Sequence, residues 1–182
     1  MTVIIGMVYG NKVYMAGDSL GVSSYDKVER DDPKVFKNDK FLIGFTTSFR
    51  MGQLLQYKFK PPKQKPKQSD HEYMVTDFID AVRKVLNDNG YGEKDKNQET
   101  GGQFLVGYKS ALYQIDSDYQ VGIPTDQYAA IGCGAAYAIG ALHGWLKDND
   151  GDFDPSNYLY EAVETAKHFS AGCGGDIWHE SI

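Results

Sequence analysis

Short apolar runs separated by turn residues predict the strands of this chain. The segment 3–9 is apolar and β-branched, which indicates a buried strand, and Gly10-Asn11 is a two-residue hairpin turn. The chain returns through a partner strand at 13–16, and Gly17-Asp18-Ser19 follow the end of that strand. The other predicted strands are 34–36, 41–46, 103–108, 111–115, 128–131 and a last segment near Ile177.

Apolar positions at helical spacing predict four helices. The segment 50–57 suits a short helix, and a second helix follows Ser69, which begins a capping-box spacing that ends at Glu72. An Ala- and Gly-rich helix is predicted over 134–146. Asp154 is placed to cap the last helix, with Pro155 at its first position, and Gly172 to Gly175 end it.

Three polar segments are predicted to be loops. Residues 19–33 and 91–102 lack a periodic pattern, and 58–67 carries five Lys and three Pro, which is typical of an extended, exposed chain. That basic segment is most simply a solvated loop, with a docking site for an acidic partner as the alternative. The remaining order of strands, two helices, strands, two helices and a strand predicts an α+β fold, a four-layer αββα sandwich. It also predicts one domain over 1–182.

Composition narrows the functional classes. The 182 residues are 41% hydrophobic and 24% charged, which is ordinary for a globular protein and too apolar for a disordered one. No apolar run is long enough to span a bilayer, and the N-terminus lacks the features of a signal peptide. The net charge of −6 does not favour nucleic acid as a partner. With only two cysteines, the chain is expected to be cytoplasmic.

No metal or cofactor is expected. None of the four His stands at a metal-ligand spacing. The acidic segment Asp148–Asp154 fails the EF-hand pattern, because its Gly151 is misplaced and no Glu closes the loop. This segment is therefore interpreted as a solvated turn between two helices.

Three residues could carry nucleophilic chemistry: Thr2, Asp18 and Lys34. A threonine hydroxyl is a poor nucleophile and needs a base beside it. Removal of Met1 would free the α-amine of Thr2, whose reference pKa of about 7.7–8.0 leaves a sizeable neutral fraction near neutral pH. A nearby Lys34 ammonium would lower the pKa values of this amine and of the hydroxyl, and Asp18 would hold Lys34 charged and oriented.

These residues stand within a set of motifs that resembles the proteasome β-subunit family of N-terminal-nucleophile hydrolases, and most of all its simpler bacterial heat-shock-locus type. The resemblance covers nearly the whole chain except 58–67 and 88–102. The matching motifs are Thr2-Val-Ile-Ile-Gly, Ala16-Gly-Asp-Ser, Lys34-Val, Asn38-Asp-Lys-Phe-Leu-Ile-Gly-Phe, Ala130-Ile-Gly-Cys-Gly-Ala-Ala-Tyr-Ala and Gly174-Gly-Asp-Ile.

The resemblance implies a role for each matching residue. Thr2 would be the nucleophile, Asp18 and Lys34 would tune it, and the backbone N–H near Ser48 would form the oxyanion hole. Around the nucleophile, Cys133, Ser170 and Cys173 stand where the family has Ser, Asp and Ser. The residues implied for the primary substrate pocket are Gly21, Asp32, Thr46 and Arg50.

The resemblance implies a threonine-type peptide hydrolase that assembles into a homo-oligomeric ring, with an ATPase partner as an open question. The activity requires removal of Met1, because a retained Met ties the Thr2 amine into an amide. No longer propeptide is expected before Thr2. The alternatives are a catalytically silent scaffold or assembly subunit and an amidohydrolase acting on a small amide.

Cys133 and Cys173 have their own alternatives. The simplest interpretation is that both are small, buried, hydrophobic side chains, as free cysteines usually are. If the resemblance places them close together, a redox link or a soft-metal site is the other interpretation.

Overall fold

Two antiparallel sheets form the centre of the structure, a computed structural model that describes residues 1–95, 98–148 and 151–182. The strands are β1 Ile4–Tyr9, β2 Lys12–Asp18, β3 Leu20–Ser23, β4 Asp26–Glu29, β5 Val35–Asn38, β6 Phe41–Phe45, β7 Glu93–Asp95, β8 Gln98–Thr100, β9 Phe104–Tyr108, β10 Ala111–Ile115, β11 Val121–Gly122, β12 Tyr128–Ile131 and β13 Ile177–Ser181. The helices are α1 Phe49–Gln53, α2 Asp70–Tyr73, α3 Ile79–Asp88, α4 Ala135–Asp148 and α5 Pro155–Phe169. π-Helical turns follow α1 at Leu54–Lys58 and α2 at Met74–Phe78.

The first sheet has the order β12-β1-β2-β13 and the second has the order β11-β10-β9-β6-β5. In the first sheet, β1 lies between two antiparallel neighbours, so that Ile4 pairs with Gly17 on β2 and with Ile131 on β12. β13 then pairs with the other side of β2, and Ile177 stands opposite Asp18. The middle of the first sheet therefore carries the start of β1 and the end of β2 side by side.

Three clusters of buried side chains fill the spaces between the layers. Between the sheets lie Ile4, Val13 and Met15 of the first sheet with Leu42 and Leu105 of the second. Alternate residues of β1, which point to the other face, pack against α4 and α5. The outer face of the second sheet packs against the helical segment from α1 to α3, with aromatic side chains such as Phe41, Phe78 and Tyr108.

These layers confirm the predicted αββα sandwich. The local signals behind two predicted helices are also present, because the Ser69 side chain accepts a hydrogen bond from Glu72 N at 3.1 Å. Asp154 likewise accepts one from Ser156 N at 2.9 Å. The turn before β2 has positive φ at both Gly10 and Asn11, as a hairpin of this length requires.

Two segments predicted to be irregular are hairpins. Within 19–33, β3 pairs with β4, and within 91–102, β7 pairs with β8. Every residue of β4 is exposed, and β7 and β8 consist of polar residues, so hydrophobic periodicity does not mark these three strands. Residues 149 and 150 of the acidic segment Asp148–Asp154 lie outside the described residues.

One strand extends further than predicted. β2 does not end before Gly17 but continues through Asp18, whose backbone N–H donates to Val3 O at 3.3 Å. Pairing with β13 on the other side holds this end of the strand. The Asp18 side chain is thereby fixed on a regular strand next to the start of β1.

Candidate active site

Three elements bring Thr2, Asp18 and Lys34 together. Thr2 precedes β1, Asp18 ends the neighbouring strand β2, and Lys34 precedes β5 of the second sheet. The three side chains meet between the sheets and are almost fully buried, with exposures of 1%, 0% and 2%. The sequence spacing therefore corresponds to one cluster in space.

The Lys34 ammonium has three acceptors. Its Nζ donates to Thr2 Oγ1 at 2.6 Å, to Asp18 Oδ1 at 2.8 Å and to the backbone oxygen of Leu20 at 2.7 Å. An ammonium has three donors, so each of them is used. Burial lowers the pKa of Lys34, while the charge of Asp18 and its hydrogen bond oppose that change.

The Asp18 carboxylate accepts from four groups. Its Oδ1 receives the Thr2 hydroxyl, the Lys34 ammonium and the Val3 backbone N–H, the last at 3.1 Å. Its Oδ2 receives Gly174 N at 3.0 Å. A buried charge is stable only with such a full set of partners, so Asp18 and Lys34 form one fixed unit.

The Gly132-Cys133-Gly134 turn holds the backbone of Thr2. The Thr2 carbonyl accepts from Gly134 N at 3.2 Å and from the Cys133 thiol at 3.5 Å. Gly132 has φ +94, and a Cβ at this position would collide with the Thr2 carbonyl group. The turn therefore approaches Thr2 more closely than any other residue in place of Gly132 would allow.

The predicted residues Cys133, Ser170 and Cys173 also meet. The Cys133 and Cys173 sulfurs are 3.9 Å apart, and Ser170 Oγ donates to Cys133 Sγ at 3.6 Å. Burial raises the pKa of the Cys173 thiol to about 12. Partial burial acts in the same direction on Cys133, but its hydrogen bonds, above all that with Ser170, outweigh it and lower the pKa of this thiol.

The Ser48 amide is already paired. Its N–H donates to Thr46 O at 2.8 Å across Thr47, whose φ is +71, and this geometry is a tight γ-turn. The Ser48 hydroxyl caps α1 by accepting from Arg50 N at 3.1 Å. An oxyanion could receive the Ser48 N–H only after this turn opens.

An open cavity of ≈ 280 Å³ leads to Thr2 and Lys34. The β3–β4 hairpin forms one wall and the segment before α1 forms another. Its lining residues are Met1, Thr2, Gly21, Val22, Ser23, Asp26, Val28, Arg30, Lys34, Phe45, Thr46, Thr47, Ser48 and Phe49.

Of the four residues predicted for substrate binding, the structure brings Gly21 and Thr46 to this cavity and not Asp32 or Arg50. Arg50 is exposed on α1. Asp32 instead binds Arg30 through two hydrogen bonds of 2.7 Å, which hold the pKa of Asp32 below its usual range.

Arg30 and Phe49 are cavity residues that the sequence did not reveal. The Arg30 guanidinium lies 3.9 Å from the centroid of the Phe49 ring, a cation–π contact, while its Nε and Nη2 donate to Asp32. The available signal was the opposite charge of Arg30 and Asp32, two residues apart in the segment that bends after β4.

Within residues 1–95, 98–148 and 151–182, no group of three or more His, Cys, Asp or Glu side chains is arranged to hold a metal ion. Over the same residues, no helix has the length and apolar character needed to cross a bilayer.

Solved structures of low sequence identity share the fold. BPH from Thiobacillus denitrificans in complex with epoxomicin matches with a TM-score of 0.79 and 16% identity, over 100% of this chain and 98% of that chain. Another structure of the same protein matches equally well, over 97% of its chain. Eukaryotic HslV from Trypanosoma brucei matches with a TM-score of 0.68 and 20% identity, over 99% of this chain and 98% of that chain.

No protein-family model and no curated protein matches the sequence. The structural likeness therefore establishes the fold, the predicted four-layer sandwich that BPH and HslV share.

Proposed function

We propose that this protein is a threonine-type peptide hydrolase whose nucleophile is the Thr2 hydroxyl after removal of Met1. The observation that carries the proposal is the buried contact of Thr2 Oγ1 with both Lys34 and Asp18 at the end of an open cavity. A structural ion pair alone would not require a hydroxyl at this point. The fold shared with HslV and BPH supports the same chemistry.

The geometry supports a division of roles. The α-amine of Thr2, once free, accepts the proton of the Thr2 hydroxyl as that oxygen attacks a peptide carbonyl. Lys34 stabilises the negative charge that develops on Oγ1, which lies 2.6 Å from its ammonium. The acyl-enzyme on Thr2 is then hydrolysed by water, with the same amine as the base.

Lys34 acts here as a fixed charge and not as a proton carrier. All three of its donors are engaged, and one of them is held by the Leu20 carbonyl, which keeps the ammonium in place. Asp18 holds the charge on Lys34 and also fixes β1 through the Val3 amide.

The cavity favours an apolar side chain next to the bond that is cleaved. Val22, Val28 and Phe45 line it, and the charge of Arg30 is already balanced by Asp32. We expect peptides with an aliphatic or aromatic residue at this position to react faster than those with an acidic one.

A silent scaffold subunit is the second candidate. The observation that favours it is the Ser48 N–H, which is occupied by Thr46 O instead of pointing to an oxyanion. The two candidates differ in whether this turn opens when a substrate binds.

The deciding experiment combines intact mass with a threonine-directed electrophile. Protein lacking Met1 is incubated with epoxomicin, the compound present in the BPH complex. The expected result is an adduct on Thr2 in the wild type and in Thr2→Ser, and none in Thr2→Ala.

Peptide cleavage is measured on the same three proteins. Retention of Met1 in protein from the native host, or an adduct that persists in Thr2→Ala, would contradict the proposal. Hydrolysis of small amides without any peptide cleavage would favour the amidohydrolase alternative.

We also propose that the chain assembles into a homo-oligomeric ring and acts on peptides in the cytoplasm. The test is peptide cleavage measured against cleavage of a folded protein, with and without an added ATPase. The same experiment can ask whether an ATPase partner is needed to supply folded substrates.

A further inference from the structure

The space between Cys133 and Cys173 is built by glycines. Gly172 lies against the Cys133 sulfur, and Gly134 lies against the Cys173 sulfur, so each thiol sits over the glycine adjacent to the other cysteine. A Cβ on either glycine would come within 2.6 Å of the facing sulfur. The absence of side chains at Gly134 and Gly172 therefore allows the two cysteine-containing turns to pack closely, with the two thiols at their contact.

The two thiols differ in environment. Cys133 is exposed, whereas Cys173 is 4% exposed. The Ser170 hydroxyl donates to the exposed sulfur, and hydrogen bonds of this kind stabilise a thiolate. One sulfur is thus accessible to an oxidant, and the other is protected but only 3.9 Å away.

We propose that Cys133 and Cys173 form a peroxide-responsive dithiol site, in which Cys133 is oxidised first and Cys173 resolves it to an intramolecular disulfide. The Cys133 thiolate attacks one oxygen of a hydroperoxide, the O–O bond breaks, and sulfenic acid and hydroxide form. The Cys173 sulfur then displaces the hydroxyl group from Cys133, the S–S bond forms, and water leaves. One hydrogen peroxide is consumed per chain, both sulfurs are oxidised, and two waters are produced.

The geometry allows the second step with little movement. A disulfide needs a sulfur separation of about 2.0 Å, so the present 3.9 Å must close by roughly half. The neighbouring glycines present no side chains that would have to be displaced.

Oxidation would also change the backbone contact of Thr2. The Cys133 thiol donates to the Thr2 carbonyl, and a disulfide sulfur has no hydrogen to donate. This consequence for activity rests on the proposed function, whereas the disulfide itself does not.

The test measures thiols and not activity. Reduced protein is treated with one equivalent of hydrogen peroxide, quenched with N-ethylmaleimide and analysed by peptide mapping. The expected result is loss of both thiols together, a linked Cys133–Cys173 peptide lighter by two hydrogen atoms, and full recovery with dithiothreitol. Sulfinic acid on Cys133 with Cys173 still free, or a disulfide between two chains, would overturn the proposal.

Single variants separate the two steps. In Cys173→Ser, Cys133 should stop at sulfenic acid, which dimedone traps. In Cys133→Ser, the buried Cys173 should keep its thiol under the same treatment. Equal oxidation of Cys173 with and without Cys133 would exclude the proposed order.

A parallel measurement tests the effect on Thr2. Epoxomicin labelling of protein lacking Met1 is compared before and after oxidation, and at least a tenfold slower reaction of the oxidised form is expected, a change of about 1.4 kcal/mol in activation free energy. If neither form reacts, the proposed hydrolase fails, while the mass of the linked peptide still decides the dithiol site.

Discussion

At the scale of a single residue, Lys34 shows how a buried charge is stabilised by its hydrogen-bond partners. Its ammonium is 2% exposed, and its three donors end on a hydroxyl, a carboxylate and a carbonyl. The three partners together offset the free-energy cost of removing this charge from water, so the loss of any one of them affects the others.

Replacing Lys34 by Met should therefore destabilise the fold as well as the site. Lys34→Met leaves Asp18 buried without its counter-charge, and we expect a loss of about 3–5 kcal/mol in the free energy of unfolding, measured with urea at neutral pH. The matched control is Lys84→Met, which removes an exposed i,i+4 ion pair with Asp88 and should cost no more than about 0.5 kcal/mol. Similar losses in the two variants would contradict the structural role of Lys34.

The titration of Lys34 should set the alkaline limit of the proposed activity. Burial lowers its pKa from 10.5, so the ammonium that stabilises Oγ1 is lost at a lower pH than from a free lysine. Peptide cleavage should accordingly fall with rising pH through a midpoint below 10.5, measured as kcat/KM. A rate that stays constant to higher pH would show that the positive charge is not needed.

At this scale the sequence predicted the three clustered residues but not the turn and the side chains that form the cavity beside them. Regular spacing and the family motifs pointed to Thr2, Asp18 and Lys34, because each stands beside a strand whose pattern is readable. The γ-turn at Thr47 and the position of Arg30 depend on side-chain and backbone packing that no short motif encodes.

At the scale of elements, the turn at Gly132 decides how the start of β1 is held. Gly132→Ala would combine a left-handed backbone with a collision against the Thr2 carbonyl, and we expect it to cost roughly 2–4 kcal/mol in urea unfolding. Gly90→Ala is the matched control, since Gly90 also has positive φ, at +70, but faces open space. Its cost should be about 1 kcal/mol. An equal cost for both would mean that close approach to Thr2 is unimportant.

The elements also show where hydrophobic patterning stops being informative. Strands with one or both faces in the core, such as β1 and β9, were predicted within a residue or two of their bounds. The β3–β4 hairpin was missed because no residue of β4 is buried, although that hairpin forms a wall of the cavity. The specificity of the proposed enzyme thus depends on an element whose sequence resembles a loop.

At the scale of the whole molecule, the proposed ring is open to direct measurement. The native mass should be a multiple of the 20.3 kDa chain, and Thr2→Ala should assemble to the same size as the wild type. Mass photometry of the two proteins side by side tests this expectation. A monomer at micromolar concentration would contradict the ring, whereas an intact ring without electrophile labelling would favour the scaffold.

The burial of the N-terminus has a consequence for the biosynthesis of the proposed enzyme. Met1 is 54% exposed, but Thr2 is 1% exposed and Val3 is fully buried. In the folded protein Met1 packs beside Gly172 and the next two residues are buried, so little of the N-terminal segment is accessible to an aminopeptidase. If Met1 is removed, as proposed, we expect the excision to precede folding. Under the proposed function, the competition between Met1 excision and folding would then set the fraction of active subunits.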